Sequence, residues 1–204
     1  MSSWPKIKVP YNAEVRSTIF TWSHEYKKLE NFRDMTTHCY VDSEGNRELM
    51  MLHYNAPFFG KETINFYADL NSGRLVKSID GEDFCKEAKL GEKICLKDWI
   101  DKMKDPEGGI TEYLGEKQVE WVKGKFHAFK VCIETKEFTK IEVLYFNTDS
   151  MDLEWIETIK PLPFIVGIEN GLEERRFTDE DFKDVRTSCD KKEAASIEEA
   201  LGWV

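Results

Sequence analysis

Apolar and polar residues alternate along most of this chain, and the alternation is clearest from Met35 onward. Residues 36–41 and 48–54 flank Asp42-Ser43-Glu44-Gly45-Asn46, a turn-rich stretch that predicts a β-hairpin. Residues 63–70 and 74–79 predict a second hairpin around Asn71-Ser72-Gly73, with Ile64, Phe66 and Ala68 on one face. Strands are also predicted over 118–122, 126–134, 139–147, 153–159 and 164–168. Most of the connections are too short for parallel crossovers, so these strands form an antiparallel meander.

The period changes in three places. Leu96, Trp99, Ile100 and Met103 recur at helical spacing ahead of Asp105-Pro106-Glu107-Gly108-Gly109, which predicts a short helix and its stop. Near the C-terminus, Thr178 with Asp181 and Ser196 with Glu199 are capping-box signals for two more helical turns. Between residues 14 and 30 two readings compete. Val15, Ile19, Trp22, Tyr26 and Leu29 fit one helix face, while Thr18-Ile19-Phe20-Thr21-Trp22 is a run of strand formers.

The pattern gives a mostly antiparallel α+β fold with a few short helices. It divides into an extended arm over residues 1–12, one domain over 13–189 and a helical tail over 190–204. A hydrophobic content of 41% is enough for a packed interior. The net charge of -10 disfavours nucleic acid as a partner, because phosphate binding needs clustered Lys and Arg. With no membrane-length apolar run and no secretory leader after Met1, the sequence predicts a soluble, cytoplasmic protein.

Candidate chemistry is sparse. His24, His38, His53 and His127 form no H-x-x-x-H pair, and Cys39, Cys85, Cys95, Cys132 and Cys189 form no C-x-x-C spacing. The best catalytic candidates are His38, His53 and Cys39, and they lack a third convergent ligand or an activated nucleophile. The sequence therefore predicts no enzyme, metal site or cofactor. In a reducing compartment the five cysteines stay free thiols. The aromatic residues are numerous enough either to fill a core or to line an apolar ligand pocket. The pocket candidates are Phe66, Trp99, Trp121, Phe129, Val131, Val143 and Tyr145. Trp203 and Val204 end the chain after an amphipathic segment and are candidates for docking on the domain or on a partner.

Several loosely spaced residues carry a family likeness from about Val9 to Cys189. They are the Pro10 entry, Tyr40-x-Asp42 with Arg47, Tyr67 before Cys85, Tyr113-Leu114-Gly115, Tyr145-Phe146, and Phe177 to Phe182 followed by Cys189. On these residues the chain resembles the ependymin-related proteins and the wider set of domains with the bacterial lipoprotein-carrier (LolA-like) fold. The resemblance implies a strongly curved sheet, a half-barrel or two-layer structure, enclosing an apolar ligand without catalysis. It also implies a Cys85–Cys189 bridge. An odd cysteine count and the missing leader depart from the secreted pattern. The rival expectation is an accessory subunit of a larger protein assembly, its pocket filled by side chains.

Overall fold

In the computed structural model, which describes residues 4–190, 193–194 and 196–200, twelve strands join in one open sheet. The first half comprises β1 (Asn12–Ser23), β2 (Lys28–Asp42), β3 (Arg47–Ala56), β4 (Gly60–Asp69), β5 (Arg74–Ile79) and β6 (Cys85–Lys89). Helix α1 (Leu96–Lys104) leads to β7 (Thr111–Lys117), β8 (Phe126–Glu134), β9 (Thr139–Asn147), β10 (Leu153–Lys160) and β11 (Phe164–Glu174). A 3-10 turn (Asp179–Phe182), β12 (Glu193–Ala194) and α2 (Ile197–Ala200) follow.

The strand order is β12-β6-β5-β4-β3-β2-β1-β11-β10-β9-β8-β7. Two antiparallel meanders are joined where β1 pairs with β11, and β12 lies parallel to β6. The hairpins predicted from the turn residues are present: β2 and β3 pair from Thr36↔His53 to Asp42↔Arg47, and β4 and β5 pair around Gly73, whose φ of +72° suits glycine. The helix predicted around Trp99 is α1, with Leu96 and Ile100 buried.

Two readings change. The segment open to helix or strand is strand: β1 has a partner on each side, and its β-branched residues suit a pleated, half-buried surface. Residues 118–122 are not strand. The edge strand begins earlier, at Thr111, and Val119, Trp121 and Val122 instead cap the cluster around Phe126 and Tyr145. The tail is only partly helical, since Glu193 and Ala194 pair with Lys86 and Glu87 before α2 begins. Ser196 Oγ accepts the Glu199 amide at 3.1 Å, the predicted cap. Trp203 and Val204 lie outside the described residues.

Directly paired residues share a face, so the register divides the sheet into a front and a back. On the back, Leu49, Tyr67 and Val76 are buried beneath Phe177, Phe182, Val185 and Cys189 of the segment after β11. Cys85 and Cys189 are joined by a disulfide that ties this segment to β6. Farther along the back, Phe126, Ala128, Val143 and Tyr145 lie beneath residues 119–122. On the front, Ala68, Leu75 and Ala88 are covered at one end by α1 and α2. At the other end, Phe129, Leu144 and Phe146 are covered by Trp4, Ile7 and Val9 of the N-terminal arm.

Parts that lie far apart in the strand order touch. The turn between β8 and β9 reaches the loop after β6, where Glu137 Oε1 accepts the Gly91 amide at 2.8 Å and Glu92 Oε1 accepts the Lys136 amide at 3.2 Å. Phe138 meets Trp99 of α1 edge-on, with ring centroids 6.3 Å apart.

Candidate ligand-binding face

Between the two covered ends of the front lies a stretch with less protein over it. It is built by β4, β3, β2, β1, β11 and β10. Register places Ile64 opposite Leu52, Met50 opposite Cys39, and Val166 between Ile19 and Ile156. Val15 lies on this face as well, beside Cys39. These side chains are half-buried. Val15, Ile19, Met50, Leu52, Ile64 and Val166 belong to none of the four core clusters, although their neighbours Ile156 and Ile168 pack against the Phe129 cluster. Strand alternation puts them on one side.

One polar spot interrupts this wall. Glu48 lies opposite Val41 and Ala68, and Lys140 and Glu142 reach the same face from β9. Lys140 Nζ is 3.1 Å from Glu142 Oε1, and Thr158 Oγ1 donates to the same carboxylate oxygen at 3.3 Å. Burial raises the pKa of Glu48, with Lys140 opposing and Glu142 adding to the shift. Burial works to lower Lys140, and the two carboxylates outweigh it, so the ammonium is held above its ordinary range. The Cys39 thiol is pushed up to about 11 by burial, which leaves it protonated and unreactive at neutral pH. The Lys140 and Glu142 side chains nonetheless keep 35% and 17% of their surface accessible.

The back face carries a different kind of polar group. Glu14 accepts hydrogen bonds from Arg16 at 2.8 Å and Arg175 at 2.5 Å, and pairs with His38 Nε2 at 2.6 Å. Burial works to raise its pKa, and Arg175 and His38 outweigh that, so the carboxyl sits below its ordinary range. Arg175 continues to Asp181, and Arg47 bridges Asp42 and Asp179 at 2.8 Å each while its guanidinium lies 4.0 Å from the Phe182 ring centroid. This network fastens the C-terminal segment to the sheet.

The predicted pocket residues do not converge on one space. Phe66, Phe129 and Val131 are on the front, and Phe129 and Val131 are packed beneath the N-terminal arm. Val143 and Tyr145 are on the back, where Trp121 covers them, and Trp99 is on α1 against Phe138. The Phe66 ring is buried beneath the Lys77 ammonium, 5.5 Å from its centroid. The partly accessible wall at Val15, Met50, Leu52 and Val166 was missed. The only sequence signal for it is their apolar alternation, which looks like ordinary core.

The candidate catalytic set also separates. His38 and His53 sit diagonally on the back face, and Cys39 faces the front. Among the described residues no three His, Cys, Asp or Glu side chains are placed to hold a metal ion. A cleft of about 560 Å³ opens beside His53, lined by Asp34, Tyr54, Asn55, Lys61 and Glu62. No helix among the described residues is long and apolar enough to cross a membrane. No protein-family model matches the chain, and no curated protein is significantly similar to it.

Proposed function

We propose that this chain is a non-catalytic binding domain that holds an apolar, lipid-like ligand against the front of its sheet. The observation that carries the reading is the patch formed by Val15, Ile19, Met50, Leu52, Ile64 and Val166: apolar, on one face, and outside every packed cluster. Contacts between the turn after β8 and the loop after β6 support strong curvature, because strands so distant in the order meet only when the sheet bends toward the front. Such curvature is what the resemblance to the LolA-like and ependymin-related proteins implies. The spot at Glu48, Lys140 and Glu142 gives the ligand's polar end a place on the wall.

The Cys85–Cys189 bridge bears on location. Disulfides persist in oxidising compartments, so the bridge opposes the cytoplasmic expectation. Thiol counting on denatured, unreduced protein decides between them: three reactive thiols support the bridge, and five refute it.

Native mass spectrometry of protein purified from its own source tests the binding role. The reading predicts an added mass that organic extraction removes and identifies as a lipid-like molecule. Protein that carries no such mass and takes up no fatty-acyl probe refutes it. The rival, an accessory subunit with a filled pocket, predicts that same negative result together with a stable protein partner.

A further inference from the structure

Six large apolar residues of the described chain are strongly exposed, and all but Tyr11 gather at one end of the central strands. The turns of β1–β2, β3–β4 and β10–β11 close at this same end, because β4-β3-β2-β1-β11-β10 are consecutive and antiparallel. Phe58 is fully exposed and Phe59 is 81% exposed in the β3–β4 turn. Tyr26 is 65% exposed in the β1–β2 turn, and Leu162 is 48% exposed in the β10–β11 turn. Phe58 has a φ of +74°, a region that bulky residues rarely occupy. An aromatic side chain in that conformation with its ring in solvent contributes nothing to packing.

Exposed lysines at this edge offset the acidic residues around them. Lys27, Lys28, Lys61 and Lys160 are exposed at or beside the three turns, whereas the chain as a whole carries a net charge of -10. The acidic neighbours are Glu25, Glu30, which lies 3.2 Å from Lys28, Asp34, bonded to Asn55, and Glu62, bonded to Tyr54. Aromatic rings projecting from turns, with lysines at their base, match the layering of a bilayer surface. There, amphipathic rings sit at headgroup depth and lysines meet anionic phosphates.

We infer that these three turns form a docking edge for an anionic lipid bilayer, with Phe58 and Phe59 as the inserting residues. The inference stands whether or not the front face holds a ligand.

Co-sedimentation with sonicated vesicles tests it on the whole chain. One set is phosphatidylcholine alone, and the other contains added phosphatidylserine. The wild type binds the phosphatidylserine vesicles, and high salt weakens binding by screening the lysines. The double variant Phe58→Gly/Phe59→Ser, in which glycine fits the positive φ, keeps its thermal transition and loses at least about tenfold in partitioning, the loss set by the apolar area withdrawn from the interface. Lys27→Glu/Lys61→Glu removes the preference for phosphatidylserine. Failure of the wild type to bind either vesicle, or undiminished binding by the aromatic double variant, overturns the inference. So does a dimer, detected by sedimentation velocity, that the same aromatic substitutions dissolve, because the edge would then be a contact between copies of this chain.

Discussion

Leu49 and Leu52 lie three residues apart on one strand and point to opposite sides of the sheet. Leu49 is almost fully buried beneath Phe182 and Cys189, whereas Leu52 is half-buried and outside every core cluster. The back is closed by a C-terminal segment held with a disulfide, charge-assisted hydrogen bonds and stacked aromatics. The centre of the front has apolar residues of the same kinds without a comparable cover. Stability therefore resides mainly in the back and the covered ends of the front, and the half-buried centre of the front is where the proposed ligand would lie.

The largest expected effect comes from opening the back. Cys85→Ala/Cys189→Ala releases a cross-link between residues 104 apart and lowers unfolding free energy by about 4 kcal/mol in urea titrations. Next is the leucine pair. Leu49→Ala costs about 3 kcal/mol because it leaves a cavity in a sealed core, whereas Leu52→Ala costs about 1 kcal/mol because its site already borders open space. Equal costs would erase the distinction between the faces.

Glu14→Gln removes a charge from a network of arginines and costs about 2 kcal/mol near neutral pH. The Glu14 carboxyl is depressed in the folded protein, so its contribution is fully present above the ordinary carboxylate range and is lost as pH falls through its folded value. The variant's stability should fall less steeply on the acid side than that of the wild type. Glu48 has the opposite sign. Its folded pKa is raised, so the protein loses stability as pH rises from the unfolded carboxylate range through the folded value. Glu48→Gln removes that loss and gives the smallest change of the series, a modest gain at neutral pH in thermal melts.

The sequence made the hairpins legible because Asp42-Ser43-Glu44-Gly45-Asn46 and Asn71-Ser72-Gly73 have turn chemistry that works locally. The face each strand presents was less legible. Alternation shows that Val131 and Val143 each sit on an apolar side of a strand. Only the β8–β9 register, with Val131 opposite Glu142, puts them on opposite sides of the sheet. The proposed pocket therefore mixed front residues such as Phe129 with back residues such as Tyr145. β1 was ambiguous because its apolar spacing fits a helix while its strand propensity is satisfied only by two partners, one of them β11 at the far end of the sequence. Cys85 and Cys189 were paired through the family resemblance, since spacing alone does not choose among five cysteines. Pro57 before Phe58-Phe59 and Gly60 after it mark a turn, where such residues reach solvent.

The central claim, that the front of the sheet binds an apolar ligand, is tested most directly by titrating delipidated protein with a polarity-sensitive fluorescent fatty-acyl probe. Wild type and Met50→Glu are compared, the substitution placing a charge in the middle of the wall. The account predicts saturable, stoichiometric fluorescence enhancement with the wild type and loss of most of it with Met50→Glu, with the thermal transition retained. Absence of saturable binding by the wild type, or a titration unchanged by Met50→Glu, contradicts it.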